Sequence, residues 1–165
     1  MRIIGIGIVG ALMLAGCAQQ ESTPAATAPG APQFVVTANT MQLMTWILDP
    51  RADVVWGSVG TVVTDKGEEK LVPKTDAEWN EVRDAAATVA EITNLLMLPP
   101  HVRDQGDWAS MARKVIEKAN KCVEAAEAKD AEALFTDGGD LYLACVACHA
   151  KYIHGEELPP EEQVK

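Results

Sequence analysis

Residues 130–153 read DAEALFTDGGDLYLACVACHAKYI. Leu134, Leu141, Cys145, Cys148 and Tyr152 recur there at helical spacing, with Asp130 where an N-cap belongs and Gly155 and Pro159 just beyond as a stop. The pattern predicts a helix from Asp130 to about Ile153, the last in the chain. Upstream, Asp107 can cap a helix in which Trp108, Met111, Val115, Ala119, Cys122 and Ala126 share one face. On that face Cys122 reads as a small buried hydrophobe, with a reactive free thiol as the alternative. Before it, Thr75-Asp76-Ala77-Glu78 fits a capping box, and Trp79, Val82, Ala86, Val89, Thr93 and Leu96 form a stripe up to Pro99-Pro100.

The first helix is predicted over about 34–48, carrying Phe34, Met41, Met44 and Leu48. Asp49-Pro50 then reads as N-cap and N1 of a short continuation through Val54, Val55 and Trp56, with a kink at the junction. Residues 57–74, with Val62-Val63 and Leu71-Val72 around Asp65-Lys66-Gly67, fit a small hairpin or an irregular loop, and are assigned as loop. Four amphipathic helices with mostly short connections predict an all-α fold, an antiparallel four-helix bundle.

The composition excludes several functions. The chain has 165 residues, room for one ordinary domain. Its 14 Lys and Arg stand against 24 Asp and Glu, for a net charge of -10, which opposes binding to a phosphate backbone and favours docking to a basic patch. Nucleic acid is therefore not an expected partner. The four cysteines are too few for a disulfide scaffold and each needs its own explanation.

The first of them explains the start of the chain. MRIIGIGIVGALMLAGC has one Arg, an apolar stretch and small residues before Cys17, the pattern of an export signal. Leu14-Ala15-Gly16-Cys17 resembles the lipobox of bacterial lipoproteins, which implies a signal peptide over 1–16 and lipid attached to Cys17. Ala18 follows rather than Asp, so the resemblance implies a periplasmic protein anchored to the outer membrane. Gly5-Ile6-Gly7-Ile8-Val9-Gly10 matches a dinucleotide fingerprint in letters only, having no preceding strand and lying inside the signal. Residues 18–33, with three prolines and hardly any large apolar side chain, read as a flexible tether with a reach on the order of 20 Å. The folded domain is then 34–165.

Cys145-Val146-Ala147-Cys148-His149 is C-x-x-C-H, the attachment signature of a c-type haem. A chance match in a chain this long is on the order of one in a thousand at average composition. On a helix these residues are i, i+3 and i+4, so two thiols and one imidazole project from one side. The thiols can form thioethers with the two haem vinyl groups while His149 reaches the iron as proximal ligand. Gly138, two turns earlier, and the small Ala144 and Ala147 would let the flat macrocycle approach the backbone; the other reading of Gly138-Gly139 is a break in the helix. A thioredoxin-like use expects the cysteines at a helix N-terminus rather than near the end of a last helix. A zinc site built from Cys145, Cys148, His149 and His154 would need an awkward tetrahedron at adjacent residues.

A C-terminal C-x-x-C-H followed by Tyr152, on the last helix of an exported four-helix chain, resembles the cytochrome c prime family, the class II c-type cytochromes. The resemblance spans 34–154. It implies a left-handed antiparallel bundle, often a homodimer, with covalent haem c between the helices near the C-terminal end. Two departures are the longer connection after the first helix and Pro50 within it. In low-spin members a methionine from the first helix is the sixth iron ligand and the protein carries electrons. High-spin members have an apolar residue there and bind small gases. The resemblance makes Met44 the first choice for that ligand and Met41 the second; the alternative is that both fill gaps in the core. His101, after Pro99-Pro100, is a weaker candidate for that ligand and reads as a solvated loop residue, and Arg83 and Arg103 are named for the haem propionates on charge alone. Trp46, Trp56, Trp79 and Trp108 read as core or haem-edge packing.

The expected function is a lipid-anchored periplasmic carrier of single electrons between redox proteins. Its alternative is a five-coordinate haem protein that binds nitric oxide or carbon monoxide. No catalytic dyad or substrate motif points to an enzyme.

Overall fold

The computed structural model describes residues 34–154, and from Val36 onward these belong to one compact unit. The signal peptide, Cys17, the tether and the Gly155 and Pro159 stop lie outside the described residues. Helix α1 (Thr40–Leu43), a π turn (Met44–Leu48) and α2 (Asp49–Gly57) follow one another without a break. Strands β1 (Gly60–Thr64) and β2 (Gly67–Leu71) come next, then α3 (Asp76–Thr93) with a 3-10 turn (Asn94–Met97). Helix α4 (Asp107–Ala128) and α5 (Ala131–His149), extended by a second π turn (Ala150–His154), complete the fold. The described residues are mostly helical, with four helical stretches packing against one another and one small hairpin.

Local chemistry sets the helix boundaries. The capping box of Thr75 and Glu78 opens α3, and Asp130 accepts from the backbone N–H groups of Glu132 and Ala133 to open α5, both at the positions expected. The first helix begins later than expected. Asn39 and Gln42 form a capping box there, so helix starts at Thr40 and Phe34, 76% exposed, stands outside it. Asp107 is the first residue of α4 rather than its cap. The capping oxygen is Oδ1 of Asp104, which accepts from the N–H groups of Gly106 (2.8 Å) and Trp108 (3.1 Å). Helix α4 ends at Lys129, whose φ of 53° turns the chain into α5.

Residues 60–71 form a hairpin rather than a loop. Gly60 pairs with Leu71 at the open end and Thr64 with Gly67 at the turn, where Gly67 adopts the positive φ of 118° that closes the strands around Asp65-Lys66. Nor does Gly138-Gly139 interrupt α5, which is continuous.

The core lies between the helices. Trp79, Val82, Ala86 and Val89 of α3 and Val115, Ala119, Cys122 and Ala126 of α4 are buried along their predicted faces. Ala85 and Ala90 on α3 and Ala112 and Ala125 on α4 add small buried side chains, which let two helices approach closely. Leu134 and Leu141 of α5 are fully buried, and Lys118 of α4 reaches Asp140 of α5 at 2.7 Å. Cys122 is buried and its thiol pushed up to about 12, chiefly by loss of water and then by Asp137, so it stays protonated and packs as a hydrophobe. Among the described residues no helix is long and apolar enough to cross a membrane.

Candidate haem-attachment site

Cys145, Cys148 and His149 occupy the last two turns of α5, and all three are half-buried. The two thiols are free rather than joined in a disulfide. Cys145 is pushed up to about 11 by loss of water, then by Cys148 and by the Asp49 carboxylate. Cys148 is raised as well, by burial. A thioredoxin-like pair needs the opposite shift, a thiol lowered at a helix N-terminus. Among the described residues no group of three or more His, Cys, Asp or Glu is arranged to hold a metal ion, so the zinc reading gains nothing. Two unbridged thiols one turn apart, with an imidazole next to the second, suit covalent haem attachment.

The first helical stretch packs against α5. Asp49 is close enough to act on Cys145, while Trp56 donates its Nε1–H to the Gly138 carbonyl at 2.9 Å and meets Tyr142 edge-on at 5.4 Å. Gly138 therefore has a different role from the one expected. A Cβ there would lie 3.7 Å from the Trp56 ring and 3.9 Å from Val55, so the space beside it is filled by this chain rather than open to a macrocycle. Both distances are ordinary contacts. Gly138→Ala is expected to stabilise the fold by about 0.5–1 kcal/mol, since Gly is a poor residue inside a helix. Urea unfolding would check this, and haem content should not change.

Met44 is half-buried and packs against the core, whereas Met41 is 70% exposed. Trp46, expected in the core or at a haem edge, is 61% exposed. It lies in the π turn, on the side of the stretch away from Leu43 and Leu48, which are buried. His101 also departs from expectation, being only 6% exposed, with Nδ1 3.2 Å from the Thr40 hydroxyl. A turn that bonds back to the start of α1 is not a solvated loop.

The loop before α4 is fastened to the end of α5. Tyr152 donates its hydroxyl to Asp104 and packs edge-on to Trp108 at 4.8 Å, while Lys151 pairs with Asp107. The Tyr152 bond, with the N–H groups of Trp108 and Gly106, holds the Asp104 carboxyl below the usual range. Arg103 lies over the Trp108 ring at 6.0 Å, next to this clasp, whereas Arg83 is engaged with Asp84 and Asn80 on α3. Sequence reasoning missed Asp104; the run Asp104-Gln105-Gly106-Asp107, a turn before a helix, was its one signal.

A cavity of about 440 Å³ opens between α2, β2 and the start of α3, lined by residues including Asp53, Val54, Leu71, Pro73, Glu78 and Val82. None of the predicted site residues lines it. Comparison of the chain with protein-family models, with curated proteins and with solved structures gave no match.

Proposed function

We propose that this chain is a c-type cytochrome of the cytochrome c prime kind, an antiparallel four-helix bundle exported as a lipoprotein through Cys17. In this reading it carries single electrons in the periplasm, held at the outer membrane. The observation that carries the reading is C-x-x-C-H on the last helix, with both thiols unbridged and half-buried. Haem, when bound, supplies an iron that changes oxidation state by one electron.

The chain's own residues do the rest. Cys145 and Cys148 hold the group by thioethers, and His149 supplies an imidazole from the same side of α5. Trp56 bonded to Gly138, together with Thr40 against His101 in the loop whose Asp104 holds Tyr152, supports a first helix that runs opposite to α5, which brings Met44 toward the His149 end. A thioether as sixth ligand favours the reduced state and raises the potential. The acidic surface suits docking to a basic patch on a redox partner. The second reading, an open iron site for nitric oxide or carbon monoxide, rests on the packing of Met44 against the core, where it could serve as filler alone.

Absorption spectra of the full chain, produced with a c-haem maturation system, separate the two. A low-spin spectrum unchanged by carbon monoxide is expected, turning high-spin and responsive to carbon monoxide in Met44→Leu. A parent protein that is high-spin and binds carbon monoxide would replace the carrier with the gas-binding reading, and absence of covalent haem would remove both.

A further inference from the structure

Pro50 has no backbone N–H, and its ring crowds the carbonyl four residues back, that of Trp46. The first helical stretch continues past it only by changing its winding. Asp49 donates its N–H to Met44, five residues back, and an α-helix resumes on the far side. A π turn holds one residue more than an α turn, so the residues before it are rotated by about 100° from where an unbroken α-helix would hold them.

Burial records that rotation. Leu48, Ala52 and Val55 face the core at α-helical spacing, but the next core residue upstream is Leu43, five positions before Leu48 rather than four. In an unbroken helix that place would fall to Met44, and its thioether would be enclosed between helices. Instead Leu43 fills the core and Met44 stands one step round, half-buried at the margin. The hydrogen bond of Trp56 to the Gly138 carbonyl sets the level along α5. Twelve residues back on the first stretch is Met44, and the same step forward on α5 reaches Ala150, beside His149.

We infer that Pro50 is a positioning residue: by imposing the π turn it releases Met44 from the core face and presents its thioether at the level of His149. The inference rests on Met44 being the sixth ligand, and three variants of the haem-loaded full chain separate the two claims. Met44→Leu tests the ligand. Pro50→Ala removes the cause of the π turn, and the exchange Leu43→Met with Met44→Leu moves the thioether to the core phase with the composition unchanged. Each is read by absorption, by carbon monoxide binding and by reduction potential, with circular dichroism to follow helix content.

Pro50→Ala is expected to keep its helices while most of its haem turns high-spin, binds carbon monoxide and loses potential. A low-spin spectrum and parental potential in Pro50→Ala, beside a high-spin Met44→Leu, would overturn the role of Pro50 and leave the ligand standing. An unchanged Met44→Leu would overturn both. Should Pro50→Ala not fold, the exchange variant decides, because Leu and Met differ little in volume. A high-spin exchange variant supports the inference and a low-spin one overturns it.

Discussion

With Cys145 and Cys148 both changed to Ser, the haem-maturated protein is expected to lose covalent haem altogether. A thioether forms when a thiol adds across a vinyl group, sulfur to carbon and hydrogen to the neighbouring carbon. A serine hydroxyl is a far weaker nucleophile, so the double variant forms no bond at either position. Denaturing electrophoresis followed by haem staining reads the outcome, because only covalently held haem survives it. The parent should stain and the double variant should not, while either single variant keeps one thioether and stains. The thiols are half-buried and Cys145 packs against the core only at its edge, so the double variant should retain its helical circular dichroism. A stained double variant would place attachment elsewhere in the chain and sink the assignment of these residues.

Leu134→Ala is expected to have the largest effect on stability. Leu134 has no exposed surface and belongs to the helix that also carries Cys145, Cys148 and His149. Truncation removes three carbons from a site that cannot fully collapse, which costs about 2–5 kcal/mol. Against the ~5–15 kcal/mol total stability of ordinary domains that is a large share. The midpoint of thermal unfolding should fall by roughly 10 °C or more. Phe135, its neighbour in sequence, is 62% exposed, and Phe135→Ala should shift the midpoint little. Equal effects at the two positions would mean that α5 packs differently.

The helices with capping chemistry of their own were the most legible. Thr75 with Glu78 and Asp130 ahead of an apolar stripe are local signals, and local signals set where α3 and α5 begin. Asn39 with Gln42 is equally local, yet Phe34 and the apolar residues after it masked the cap and moved the expected start upstream. The hairpin turns at Gly67, and positive φ can be permitted by a glycine but not announced by it.

The motif of the site was legible because its spacing is chemical. Its surroundings were not, because they depend on partners far along the chain. His101 is buried through Thr40, 61 positions away, and Gly138 is covered by Trp56, 82 positions away. Neither partner leaves a trace in the spacing around those residues. Asp49-Pro50 reads as the start of a short continuation after a kink, on the sound ground that proline removes a hydrogen bond. The molecule passes Pro50 in one continuous helical stretch by adding a residue to the turn, and that choice decides which of Leu43 and Met44 faces inward.

The hairpin gives the molecule a second scale of stability. Its strands hydrogen-bond only to each other, and apart from Gly60 and Leu71 at the open end their residues are exposed. Opening it uncovers little apolar surface, whereas opening any of α3, α4 or α5 breaks the shared core. Amide protons of residues 60–71 thus belong to a unit that opens independently of global unfolding, while those of the helices exchange together. The tip at Asp65-Lys66 is accordingly a place where the chain accepts a label or an inserted peptide without disturbing the helix that carries Cys145 and Cys148.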